Sequence, residues 1–114
     1  MREMSLIEIM VLNEIKNRGS FERPIPAKKL RKDCQLTKRQ LEVVVEDLRV
    51  QFGHPIVAKK TLPSGYYLPK NEQERQAGMK PYQKQIQTEQ RILSLVMGID
   101  LAKYWEKSLE LEGK

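Results

Sequence analysis

The side chains most able to do chemistry are basic, and they are concentrated between residues 28 and 39. This stretch has one acidic residue, Asp33, and six basic ones: Lys28, Lys29, Arg31, Lys32, Lys38 and Arg39. The whole chain of 114 residues has a formal net charge of +6. Clustered lysine and arginine attract polyanions such as phosphate backbones and anionic lipid headgroups. A charge run on a short helix is also commonly a solvated face, so the residues alone leave both interpretations open.

Few residues suit catalysis or metal binding. His54 is the single histidine and Cys34 the single cysteine, which is too few for a typical zinc site. No Ser/His/Asp set, carboxylate pair or glycine-rich phosphate loop is apparent, so we expect neither an enzyme nor a cofactor. One cysteine allows no internal disulfide, which fits a reducing cytoplasm.

Hydrophobicity argues against a membrane partner. No apolar run approaches the roughly 20 residues that a transmembrane helix needs. The N-terminal stretch MREMSLIEIMVL contains acidic residues and no cleavage-site pattern, so we do not expect a signal peptide. The expected location is therefore cytoplasmic.

The basic stretch lies on the second and third predicted helices. The first helix begins at the N-cap Ser5 and ends at Gly19. The second, residues 27–34, follows two prolines and is expected to turn Ala27 and Leu30 inward.

The third predicted helix begins at Thr37, where Gln40 completes a capping box, and Gly53 ends it. Its apolar stripe consists of Leu41, Val44, Val45 and Leu48. Residues 38, 39, 42, 46 and 49 are therefore left facing outward.

A β-hairpin is predicted next. HPIVAKK and YYLP are rich in strand-forming residues, and TLPSG between them has the composition of a turn. Tyr66 and Tyr67 alternate along the second strand, so one is expected to pack inward and the other outward.

Residues 71–81 contain Gly78 and Pro81 and are expected to form a polar linker or a short helix. Residues 82–112 form a helix or a helical pair, with Asp100 able to begin a second helix. Their apolar side chains predict a packing, dimer or partner interface: Ile86, Leu93, Val96, Met97, Leu101, Tyr104 and Trp105. These side chains could cover the first helix, a second copy of the chain or another protein.

The expected fold is mainly α with a small β-hairpin and a C-terminal helical extension.

Residues 5–70 resemble a winged helix-turn-helix DNA-binding domain. The resemblance is carried by IPAKKLRKDCQLTKRQLEVVVEDLR for the helix-turn-helix and by PIVAKKTLPSGYYL for the wing. It is closest to the compact type found at the N-terminus of biotin-ligase repressors and in small phage and mobile-element proteins. It covers 66 of the 114 residues, which assigns residues 1–70 to one domain.

The resemblance implies that the third helix enters the DNA major groove with its N-terminal end first. Base or phosphate contacts would then come from Thr37, Lys38, Arg39, Gln40 and Glu42. Backbone contacts would come from the second helix and the wing, through Lys28, Lys29, Arg31, Lys32, Lys59, Lys60 and Ser64. Gln40 has two possible uses, since it can pair with adenine or complete the capping box.

The expected function is sequence-specific binding of double-stranded DNA, by a transcriptional regulator of the kind that phages and mobile elements encode. A homodimer is the expected assembly, because a two-fold protein matches a palindromic site. The alternative is an interaction module that presents its C-terminal helix to a protein partner.

Overall fold

The computed structural model describes residues 2–112 of the chain, and the side chains of residues 2–107. The elements run in the order α1 (Leu6–Arg18), α2 (Ala27–Cys34), α3 (Lys38–Val50), β1 (Val57–Lys59), β2 (Gly65–Tyr67), α4 (Glu72–Met97) and α5 (Leu101–Glu112). The two strands are antiparallel neighbours. The predicted fold class, mainly α with a small β-hairpin, is confirmed.

The predicted caps at Ser5, Thr37 and Asp100 are confirmed, because each depends only on residues three positions apart. Ser5 accepts a hydrogen bond from the Glu8 backbone N–H at 3.2 Å, and the Glu8 carboxylate accepts one from the Ser5 N–H at 2.7 Å. Asp100 accepts from the Lys103 N–H at 3.1 Å and begins α5. Residues 82–112 are thus the end of one helix and the whole of a second.

The core of the N-terminal part lies between the first three helices and the hairpin. It contains the predicted stripe of α3 together with residues of α1, α2 and the segments that flank the hairpin. Its buried side chains are Val11, Ile15, Ile25, Leu30, Cys34, Leu41, Val44, Val45, Leu48 and Ile56. The expectation that Ala27 faces inward is wrong. Ala27 is exposed, because the first turn of α2 borders an open groove beside the hairpin.

The hairpin is anchored to the chain just before α2. Val57 pairs with Tyr67 and Lys59 with Gly65, while Ile25 exchanges two backbone hydrogen bonds with Tyr66, at 2.9 and 2.8 Å. Gly65 has φ +151°, and a Cβ there would lie 2.4 Å from the Ile25 carbonyl oxygen. Only glycine allows this close approach. Tyr67 is the buried tyrosine, and Tyr66 is half-buried.

Residues 72–81 are the first ten residues of α4 and not a linker. Asn71 Oδ1 accepts from the Glu74 N–H at 2.8 Å and begins the helix. Gly78 is buried against Tyr67 and Val57. This tertiary contact holds the segment helical although Gly78 and Pro81 disfavour a helix.

The chain divides into two compact units, residues 1–80 and 81–114. The first contains α1 to α3, the hairpin and the start of α4. The second contains the rest of α4, and α5.

Candidate nucleic-acid interface

The capping box orders the N-terminal end of α3. Thr37 Oγ1 accepts from the Gln40 N–H at 3.1 Å, and Gln40 Oε1 accepts from the Thr37 N–H at 2.9 Å. Of the two uses that the sequence leaves open for Gln40, the structure shows the cap. Lys38 and Arg39 follow Thr37 in the first turn, and both are exposed.

A tight turn joins α2 to α3 and brings their basic residues together. Gln35 adopts the left-handed conformation, with φ 56° and ψ 48°, and its N–H is directed at the last carbonyls of α2. An open groove of about 660 Å³ runs along the junction. It is lined by Lys28, Arg31, Lys32, Gln35, Leu36 and Thr37.

A second groove, of about 390 Å³, separates the start of α2 from the hairpin. Its lining includes Lys28, Lys59 and Ser64. Lys28 borders both grooves. The outer face of α2 therefore adjoins the start of α3 on one side and the hairpin on the other. We call the side chains of Lys28, Lys32, Lys38 and Arg39 the basic surface.

Four of the six acidic side chains of the first three helices pair with arginines outside the basic surface. Arg2 pairs with Glu8 at 2.7 Å and with Asp47 at 3.5 Å. Arg18 pairs with Glu14 at 3.4 Å and with Asp33 at 3.8 Å.

The charge of the basic surface is therefore not neutralised within the chain. Within residues 2–107, no side chain of the basic surface forms an ion pair. Asp33, the only acidic residue in the basic run, is directed to Arg18. The positive potential of this face is thus available to an anion.

Lys59 has a structural role that the sequence does not indicate. Its Nζ donates to the Phe21 carbonyl oxygen at 2.9 Å and lies 4.2 Å from the centroid of the Phe21 ring. The Phe21 ring in turn packs edge-on against Tyr67, with ring centroids 5.5 Å apart. Lys59 thereby holds the loop after α1 against the hairpin, and we leave it out of the basic surface.

The other predicted backbone residues differ in position. Lys29 is exposed on α2 but lines neither groove. Arg31 is half-buried, Lys60 is exposed near the hairpin turn, and Ser64 borders the second groove.

Val43 is a candidate contact residue that the sequence analysis did not single out. It is 50% exposed and stands one turn after Arg39, on the side of α3 away from the buried stripe. The helical period that defines the buried stripe places Val43 opposite Leu41 and Leu48, and this position is the signal in the sequence that identifies it as exposed.

The apolar side chains predicted for a C-terminal interface are all exposed. Their exposed fractions lie between 55% and 76%: Ile86, Leu93, Val96, Met97, Leu101, Tyr104 and Trp105. The rings of Tyr104 and Trp105 contact each other edge-on, with centroids 5.4 Å apart. This set is not buried within the chain.

Comparison of the chain with protein-family models, with curated proteins and with solved structures gives no match. Among the helices that the structure describes, none combines the length and hydrophobicity required to cross a membrane.

Proposed function

We propose that this chain is a cytoplasmic winged helix-turn-helix protein that binds double-stranded DNA and acts as a transcriptional regulator. The observation that carries the proposal is the basic surface, whose charges have no acidic partner within residues 2–107. The phosphate backbone supplies most of the affinity in such complexes, through contacts with lysine and arginine.

The exposed side of α3 suits the edges of base pairs. Arginine can pair with guanine in the major groove, glutamate can accept from the cytosine amino group, and an apolar side chain can contact the thymine methyl. Arg39, Glu42 and Val43 offer these three chemistries within five residues and are exposed. With Gln40 used in the capping box, we assign it to positioning α3 and not to reading adenine.

The start of α2 suits a phosphate. Its N-cap is Pro26, so no side chain caps the first turn, and that turn contains no acidic residue. Free N–H groups at the start of a helix attract anions. Lys28, beside these N–H groups, would add a charge-assisted contact.

The experiment is a fluorescence anisotropy titration of the full chain with a random duplex of about 25 base pairs, from low to physiological salt. The double variant Lys38→Ala with Arg39→Ala should bind more weakly and lose up to about two units of salt slope. The matched control, Lys84→Ala with Arg91→Ala, removes the same charge from exposed positions of the second unit. It should bind like the wild type.

Two outcomes would count against the proposal. If the wild type does not bind duplex even at low salt, DNA binding is wrong. If both double variants lose the same affinity, the attraction depends on net charge and not on the basic surface.

A protein-interaction module is the second candidate. Glu42 and Glu46 are exposed on α3 and would repel phosphate. In that case the Lys38 and Arg39 changes would leave partner binding intact, whereas Trp105→Ala would abolish it.

A further inference from the structure

The apolar side chains of the second unit are concentrated around the turn between α4 and α5. Nine of the fourteen residues 92–105 are large and apolar, and each is between 51% and 76% exposed. We call these residues the C-terminal apolar cluster. Between residues 83 and 91, by contrast, Ile86 is the only large apolar residue.

The cluster forms a broad apolar face at the end of α4. Residues 92, 93, 95, 96 and 97 are all apolar and span roughly 200° of the helix circumference at about 100° per residue. An apolar face this broad, about twice the width of the usual core-facing stripe, needs another surface to cover it. The exposed fractions show that α4 and α5 do not provide that cover for each other.

The exposed area is large enough for a stable interface. Nine side chains of this size, each more than half exposed, amount to roughly 900 Å², compared with the roughly 800 Å² that each partner buries in a standard interface. Apolar patches on soluble monomers rarely exceed a few hundred Å².

Charge indicates which partner fits. Residues 92–107 contain two acidic side chains, Asp100 and Glu106, and two basic ones, Lys103 and Lys107. To bind a strongly charged partner or an anionic membrane surface, residues 92–107 would need a net charge of the opposite sign. A balanced surface can instead be complementary to itself across a two-fold axis.

We propose that the C-terminal apolar cluster is a homodimer interface, in which residues 92–105 of one copy are covered by the same residues of a second copy. The two α4–α5 turns would form a four-helix contact with Leu93 and Trp105 inside it. The proposal concerns the second unit alone and holds whether or not the first unit binds DNA.

Sedimentation equilibrium of the full chain, without DNA, tests this proposal. The wild type should have twice the 13.4 kDa mass of one chain at micromolar concentration. Leu93→Gln and Trp105→Ala should each raise the dimer dissociation constant at least tenfold, which corresponds to about 1.4 kcal/mol. Glutamine favours helix nearly as well as leucine, and circular dichroism would confirm that each variant is folded.

Leu6→Gln is the matched control, because Leu6 is 84% exposed on α1 and lies outside the cluster. It should leave the dissociation constant unchanged. A monomeric wild type throughout the micromolar range would overturn the proposal. So would a dimer that Leu93→Gln and Trp105→Ala leave intact, since its interface would then lie elsewhere.

Discussion

At the scale of single residues, Glu8 is the most tightly held charge in the first unit. Both carboxylate oxygens accept from the Arg2 guanidinium, at 2.8 and 2.7 Å, and one also accepts from the Ser5 N–H. Glu8 is buried, and Arg2 extends from it to Asp47 on α3. The residue therefore caps α1 and joins the N-terminal segment to α3.

These contacts make part of the stability dependent on pH. Hydrogen bonds from Arg2, and then from Ser5, lower the pKa of Glu8 from 4.5 to about 2, against the opposing effect of burial. Because the pKa is lower in the folded state, the stabilisation is complete above the unfolded value of about 4.5 and is lost as the pH falls towards 2.

Glu8→Gln should lower the free energy of unfolding at neutral pH by about 1.5–3 kcal/mol, the usual contribution of a hydrogen bond to a charged group. It should also reduce the fall in the free energy of unfolding as the pH decreases from about 4.5 to 2, which is the acid limb of the stability profile. Urea unfolding, followed by circular dichroism at a series of pH values, measures both effects. Glu22→Gln, at an exposed position, is the control. Acid limbs of equal steepness in Glu8→Gln and in the wild type would contradict this explanation.

At the scale of elements, the start of α4 is fixed by its contact with the hairpin. The Tyr67 hydroxyl donates to the Glu74 carbonyl oxygen at 2.8 Å. A Cβ added at Gly78 would lie 2.1 Å from that hydroxyl oxygen and 2.6 Å from Val57 Cγ1. The absence of a side chain at Gly78 is therefore what allows helix and hairpin to meet.

Gly78→Ala should destabilise the first unit by about 1–3 kcal/mol, although alanine favours helix, because the added methyl overpacks a filled site. Thermal unfolding measures the loss. Tyr67→Phe removes the nearest clashing atom, so the double variant should lose less stability than the two single variants combined. If the stability losses of the two single variants simply add in the double variant, the added methyl group does not contact Tyr67.

At the scale of the whole molecule, the division into two units predicts two kinds of unfolding. Residues 1–80 have their own buried core, whereas the apolar side chains of residues 92–105 are exposed in the single chain. If a second copy covers them, the stability of the second unit depends on protein concentration and that of the first does not.

Trp105 is the only tryptophan, so its fluorescence reports on the second unit alone. The midpoint of thermal unfolding followed by this fluorescence should rise with protein concentration. Leu93→Gln supplies the comparison, because a weakened interface should make its Trp105 midpoint depend less on protein concentration. A Trp105 midpoint that does not move with concentration would contradict the homodimer.

Much of the fold could be predicted because the signals are local. The predicted caps at Ser5 and Thr37 each need residues only three positions apart, and both form. The buried stripe of α3 follows from the helical period alone. The start of α4 could not be predicted in the same way, since its helix depends on a contact between Gly78 and Tyr67, eleven positions away.

The candidate site also combines features that the sequence predicts with features that depend on tertiary contacts. The cationic run between residues 28 and 39 is visible in the composition, and so is the apolar C-terminal segment. The composition does not show which of these charges form ion pairs or hydrogen bonds within the chain. Asp33 pairs with Arg18 and not with a basic residue of the run, and Lys59 donates to the carbonyl oxygen of Phe21, 38 positions away.

The sequence by itself determined α1, α2, α3, the start of α5, the hairpin and the sign of the charge on α2 and α3, because caps, periodicity and formal charge depend on neighbouring residues. Only the tertiary structure decided that Ile25 anchors the hairpin beside α2, that four basic side chains have no acidic partner within residues 2–107, and that the apolar cluster at residues 92–105 is exposed. Each of these depends on distances between residues far apart in the chain, and such distances exist only once the core has packed.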